Sequence, residues 1–190
     1  MKTLYVSKKF SPPQSIKQGD LLIAAPSLRD SIFEKSVTLL VQHSHEGAYG
    51  LILNQPSGKN VGDYLQDGSL YNLSRLPVYV GGPIAQDSLT FAAFWTSPKG
   101  KLRFSVRISA EEALERSKQP GVIVRAFTGY SGWSAGQLEE ELERNSWLPA
   151  LIPHNFLGMY HDQTLWSNTL NQLTPFHRVL ALCSPHPELN

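Results

Sequence analysis

The chain has 190 residues, 41% of them hydrophobic, and 17 Lys plus Arg against 16 Asp plus Glu give a formal net charge of +1. That size supports one domain with a core of its own, and the charge balance gives no global pull toward nucleic acid or anionic membranes. The single cysteine, Cys183, excludes an internal disulfide framework and suits a reducing compartment, so the expected location is cytoplasmic.

Met1 to Ser15 carries lysines without the apolar run of a signal peptide, and no stretch reaches bilayer-spanning length. Residues 1–18, with Pro12 and Pro13, read as an N-terminal arm, and residues 19–190 as a single domain. Leu21–Ala25 is a short apolar run that predicts a strand buried on both faces. Val37–Gln42 and Gly50–Asn54 predict the next two strands, joined by a glycine-bearing loop from His43 to Tyr49. Pro56-Ser57-Gly58 closes the third. Asn60 is placed to cap a short helix through Gln66, packing Val61, Tyr64 and Leu65. Asp67–Pro77 reads as a surface connection, and the strand Val78–Val80 is broken by Gly81-Gly82-Pro83. Leu89–Thr96 is another strand. In Leu102–Ile108, alternation puts Leu102, Phe104, Val106 and Ile108 on one face and Arg103, Ser105 and Arg107 on the other. Ser109 and Glu112 have capping-box spacing and start a helix that stops before Pro120-Gly121.

The stretch Val122–Trp147 organises the chain. A strand through Thr128 is expected to end in a glycine turn, Gly129-Tyr130-Ser131-Gly132-Trp133, and a helix capped by Ser134 follows, with Gln137 reaching back. Trp133 and Leu138 sit at staple spacing. Leu138 and Leu142 form the apolar stripe, with Glu139, Glu140, Glu141 and Glu143 largely outside it. A proline-interrupted apolar segment spans Leu148–Leu157. A last helix starts at Asp162 with Leu165, Trp166, Thr169, Leu170 and Leu173 inward, and Arg178–Cys183 suggests a final strand. Short strands, many tight turns and three to four helices predict the α+β class.

Gly132-Trp133-Ser134-Ala135-Gly136 matches the nucleophile-elbow pattern G-x-S-x-G, for which Asp162 and then His177 or His186 are the available partners. Against it, Ser134 is already spent as a helix cap and the strand is expected to end too early. A helix start there could instead hold an anion. Neither a dinucleotide nor a P-loop fingerprint is present. His43, His45 and Glu46 lie on a predicted turn, and His154, His161, His177 and His186 are scattered, so no metal and no cofactor is expected. Cys183 reads as a packed thiol. Lys101, Arg103 and Arg107, with Lys99 near, form a candidate phosphate contact, though a solvated strand face that guards a sheet edge looks the same. Nucleic-acid contact is expected to be weak and without sequence preference.

Several longer motifs resemble the YqgE/AlgH family of bacterial proteins. They are Gly19-Asp-Leu-Leu-Ile-Ala-Ala-Pro26, Phe33-Glu-Lys-Ser-Val37, Glu46-Gly-Ala-Tyr-Gly-Leu-Ile-Leu-Asn-Gln-Pro56 and Val80-Gly-Gly-Pro83. The last is Gly129-Tyr-Ser-Gly-Trp-Ser-Ala-Gly-Gln-Leu-Glu-Glu-Glu141, continuing through Leu142 and Asn145 to Trp147. The resemblance implies one compact domain with a mixed, mainly antiparallel sheet, and brings no catalytic residues and no cofactor to carry over. One branch bears the label of transcriptional regulator. A non-enzymatic regulatory or interaction protein with a protein partner is therefore expected. The rival is an enzyme or small-ligand binder with a pocket beside the Gly129–Gln137 turn. The candidate ligand or partner residues are Asn54, Tyr130, Ser131, Trp133, Ser134, Gln137 and Glu140. The family's polar positions Asn54, Gln137 and Glu140 either line such a site or satisfy backbone at turns, and the second reading is preferred.

Overall fold

The computed structural model describes residues 16–29, 31–64, 68–150, 152 and 162–173. Among the described residues, nine strands build one mixed, curled sheet. They are β1 Leu21–Ala24, β2 Val37–Ser44, β3 Gly47–Ile52, β4 Pro56–Asn60, β5 Pro77–Val80, β6 Ile84–Thr96, β7 Leu102–Ile108, β8 Val122–Ser134 and β9 Trp147–Ala150. The α-helices among the described residues flank it, α1 Ala110–Ser117, α2 Gln137–Glu143 and α3 Asp162–Leu173. The class is α+β. Among the described pairings, β5 with β8 is parallel and the rest are antiparallel.

The sheet is assembled on β8. Its residues 126–128 pair in parallel with β5, Val122–Thr128 pair with β6, and Ser131–Ser134 pair with β3. Val122, Ile123, Val124 and Phe127 supply the β-branched and aromatic side chains that suit a strand covered on both faces. Here the expected glycine turn is corrected. The strand does not end at Thr128 but runs through the glycines to Ser134. Gly129 combines a left-handed φ of 68° with close approach to Gly82 of the β5–β6 connection. A Cβ on Gly82 would collide with the backbone of Tyr130 and Ser131, and one on Gly129 with the carbonyl of Gly82.

Alternation along the strands divides the core in three. Leu21, Ile23, Leu39 and Leu51 face Phe94 and Phe127, and Leu165, Trp166 and Leu170 of α3 close this cluster. On the opposite face of β1 and β2, Leu22, Ala24 and Leu40 meet Trp133, Trp147 and Leu138 of α2. Val78, Phe91, Val124 and Ala126 form the third cluster, against Val61, Leu73 and Ala113 of α1. The expected inward face of α3 is observed, with Leu165, Trp166, Thr169 and Leu170 buried.

Other departures are local. The β2–β3 pairing continues to Ser44 opposite Gly47, so His45-Glu46 is a tight turn where a loop from His43 to Tyr49 was expected. Pro56–Asn60 is a strand, and Asn60 opens only a 3-10 turn, Val61–Asp63, with its N–H donating to the Asp63 carboxylate at 2.8 Å. A second 3-10 turn, Gly68–Leu73, occupies the expected surface connection, and β6 begins at Ile84 instead of Leu89. In β7, Arg107 adopts φ 57° as the extra residue of a bulge. The phase therefore slips: Leu102, Phe104 and Val106 pack on the α3 cluster while Ile108 enters the α1 cluster. The expected helix residues Leu65 and Gln66, the segment Arg178–Cys183, and His154, His161, His177 and His186 lie outside the described residues.

Candidate functional site

The unit from Trp133 to Trp147 is held by one carboxylate. Trp133 and Leu138 are both buried, as a staple requires. Trp133 and Trp147 meet edge to face with ring centres 5.8 Å apart, and both indole N–H groups donate to the same Glu141 oxygen, at 2.9 and 2.7 Å. The Gln137 amide donates to the other oxygen at 3.0 Å. Glu141 thus turns inward, against the expectation that it lies outside the stripe, because an indole buried by its ring must still place its N–H. The expected cap is also corrected. The residue before α2 is Gly136 at φ 76°, and the Ser134 amide and hydroxyl both donate to the Gln137 side-chain oxygen, at 3.1 and 3.0 Å. Only the returning half of the capping box forms. The helix ends with the Asn145 amide donating to Leu142 and that of Ser146 to Glu141, around Asn145 at φ 54°, the left-handed terminator that asparagine tolerates.

The candidate residues go to different places. Asn54 is buried, its side-chain oxygen accepting from Val37 N–H at 2.8 Å and its amide donating to the Lys35 carbonyl at 2.9 Å. Ser131 is fully buried and donates to the Gly81 carbonyl at 3.1 Å. These two side chains satisfy backbone. Trp133 is buried, whereas Ser134, Gln137 and Glu140 are exposed, with Glu140 3.5 Å from Arg144. Ser134 has its hydroxyl on Gln137, and the histidines considered as its partners lie outside the described residues. Tyr130 is half-buried on the face that Gly132 shares, opposite Ser131 and Trp133. No group of three His, Cys, Asp or Glu converges at ligand distance among the described residues. No described helix is long and apolar enough to cross a membrane.

Lys101, Arg103 and Arg107 do not form one stripe. Arg103 stands opposite Trp95, which packs on the α1 cluster. The bulge swings Arg107 to the other side of β7, with its guanidinium 4.5 Å from the Tyr49 ring centre and 5.8 Å from that of Tyr130. Tyr49 and Tyr130 are themselves 5.0 Å apart. Ile84, 41% exposed, pairs with Tyr130 and lies over Gly132. Two tyrosines, an arginine and an exposed isoleucine therefore share one surface, which motif reading missed because the bulge at Arg107 has no sequence signature.

Sequence reasoning also missed an open cleft of about 550 Å³ lined by Ser57, Lys59, Tyr64, Val80, Gln86, Asp87 and Thr128. Val80 and Thr128, opposite one another at the carboxyl ends of the parallel pair, lie between β4 on one side and β6 on the other. Lys59 sits 5.3 Å from the Tyr64 ring centre. Ala85, at φ 54°, stands where β6 loses its register with β8 between Ile84 and Leu89, and Gln86 and Asp87 leave the ladder there. No local pattern announces a site drawn from four strands.

A third feature ties the β2–β3 hairpin to α2. His43 places Nε2 2.6 Å from the Glu139 carboxylate and Nδ1 3.3 Å from the Ile16 carbonyl. The hydrogen bond from His43, foremost, and then Glu139's own backbone N–H hold that carboxyl below its ordinary pKa.

Comparison with known proteins places this geometry. The family model described as AlgH-like matches residues 21–176. A UPF0301 protein of Cytophaga hutchinsonii is 33% identical over 186 residues, covering 92% of this chain and all of that protein. A UPF0301 protein of Streptomyces coelicolor is 32% identical over 184 residues, 90% of this chain and 94% of the relative. Among solved structures, the solution structure of the AlgH protein from Pseudomonas aeruginosa aligns with a TM-score of 0.63 at 27% identity, covering 90% of this chain and 98% of that one. Protein DIP2367 from Corynebacterium diphtheriae shares the fold at a TM-score of 0.70 and 22% identity, covering 90% and 94%. Matched by the family model over most of its length, the chain belongs to the AlgH-like family.

Proposed function

We propose that this chain acts by binding, as a cytoplasmic regulatory or interaction protein, and that the surface of Ile84, Tyr49, Tyr130 and Arg107 meets its protein partner. The observation that supports the reading is the Arg107 guanidinium held over two tyrosines beside an exposed isoleucine. Tyrosine and arginine dominate binding hot spots, because both present large rigid surfaces with a polar edge. The left-handed backbone at Arg107 costs conformational energy, which is usual where a side chain must be aimed. Nucleic-acid contact in this reading is limited to weak, salt-sensitive phosphate contacts by Lys101 and Arg103. Co-purification of the tagged protein from native lysate tests it. Partner proteins recovered with wild type should be lost with Ile84→Asp and with Arg107→Ala, each variant melting as wild type does. An unchanged set of partners on both folded variants refutes the docking surface.

A second reading, a small-ligand binder, draws support from the cleft between β4 and β6 and not from the Gly129–Gln137 turn. Native mass spectrometry of the freshly purified protein checks it by looking for a bound small molecule.

A further inference from the structure

The cleft has an arrangement of charge that narrows what it takes. Across the sheet the strands run β4, β5, β8, β6, because β5 and β6 both pair with residues 126–128 of β8 and so occupy its two edges. Each contributes to the cleft in turn: Ser57 and Lys59 from β4, Val80 from β5, Thr128 from β8, Gln86 and Asp87 from β6. The ammonium is therefore on one wall and the carboxylate on the other. With about 4.8 Å between neighbouring strands, three steps separate the wall backbones by about 14 Å. Side chains reaching inward leave room for one small elongated molecule, and the volume of about 550 Å³ lies within the usual range for such sites.

Val80 and Thr128 stand side by side at the carboxyl ends of the parallel pair, the end at which open α/β sheets also bind their ligands. Thr128 is 4% exposed and offers a hydroxyl between the charged walls. Gln86 donates to the Gly82 carbonyl at 3.4 Å, which leaves its side-chain oxygen to accept from a ligand. Among the described residues Lys59 and Asp87 make no ion pair with one another, consistent with their standing on opposite walls.

We propose that this cleft binds a small elongated metabolite with an anionic group at one end, held by Lys59, and N–H donors at the other, held by Asp87. The contact of Lys59 with Tyr64 lies at the surface, where a cation over a ring is only weakly held, so the ammonium exchanges it readily for a ligand anion. Two sources offer that chemistry. A nucleoside monophosphate carries a phosphate and, at the far side of its base, an amino or imino N–H. A short peptide carries a carboxylate and an ammonium. The inference rests on the small-ligand reading but is narrower than it.

The test is an amide-shift titration of the full chain at low salt. The probes are the four ribonucleoside monophosphates, a dipeptide with free termini, and inorganic phosphate alone. Binding by either two-headed class supports the proposal and identifies the source, provided that resonances of Lys59, Asp87 and Thr128 shift. Lys59→Gln and Asp87→Asn should each weaken that binding by about tenfold, the worth of one charge-assisted hydrogen bond, while Lys17→Gln, at an exposed lysine away from the cleft lining, leaves it unchanged. Inorganic phosphate binding as tightly as the two-headed probes overturns the proposal, as does affinity unmoved by both cleft variants. No shift with any probe at millimolar concentration also overturns it. A bound molecule of different chemistry found by native mass spectrometry would sink this inference and leave the small-ligand reading standing.

Discussion

A single oxygen of Glu141 accepts from two tryptophans, and that makes its removal more costly than its half-exposed position suggests. Losing the carboxylate strands the N–H groups of Trp133 and Trp147, both buried, and an orphaned buried donor costs about 1–3 kcal/mol. Glu141→Ala should therefore cost about 2–4 kcal/mol, and Glu141→Gln less, since an amide oxygen can still accept. Ser134→Ala should stay within about 0.5 kcal/mol of wild type, because Ser134 caps no amide of α2 and bonds only to the exposed Gln137 side chain. Urea unfolding of the three variants separates them. A Ser134→Ala loss as large as that of Glu141→Ala would restore the serine to the capping role its spacing suggested. That spacing misled because Gly136, which takes φ 76° without penalty, does the work of starting the helix two residues later.

Between elements, the link from β2 to α2 is a hydrogen bond from His43 to the half-exposed Glu139 carboxylate, and so it is conditional on pH. The Glu139 carboxyl is held below its ordinary pKa, first by the hydrogen bond from His43. A depressed carboxylate contributes stability above its unfolded pKa, and that contribution disappears as pH falls through the folded value. Glu139→Gln should thus be slightly less stable than wild type near pH 7, by under about 1 kcal/mol because the side chain is 51% exposed. The gap should close below the usual carboxylate range. Denaturation of both proteins across that range is the measurement, and a gap that widens on acidification contradicts the assignment. At this scale the locally encoded elements were the legible ones. The Ser109 cap and α1, the inward face of α3, and the strands at Leu21, Val37 and Val78 all follow from spacing that neighbours in sequence can enforce. The β7 alternation was legible only as far as Val106. One left-handed residue, Arg107, moved Ile108 to another cluster and separated it from its expected face.

At the scale of the whole molecule, everything depends on how β8 passes between its partners. The glycines of this stretch read as a turn in the sequence, whereas Gly129, at φ 68°, also leaves the space that the Gly82 carbonyl fills, and sequence alone does not separate the two needs. The cleft and the Arg107 surface stayed hidden for a related reason: both are assembled from strands distant in sequence, by pairings that no residue type announces. The two uses of glycine can be separated by experiment. Gly100 has φ 74° and open space where a Cβ would go, so Gly100→Ala meets only the left-handed penalty, about 1–2 kcal/mol. Gly82 also has positive φ, at 154°, but its Cβ would enter the backbone of Tyr130 and Ser131, which is fixed in β8 and has no flexible end to move aside. Relieving that overlap means prising the β5–β6 connection off β8, with loss of the Gly81 N–H bond to the Thr128 carbonyl and of the Ser131 hydroxyl bond to the Gly81 carbonyl. Gly82→Ala should cost more than about 4 kcal/mol, a large part of a typical domain's stability of about 5–15 kcal/mol. Thermal melts of the two variants decide between the readings: equal, small losses would mean that the crossing is loose enough to absorb a methyl group, and β8 would no longer be the strand that holds the sheet together.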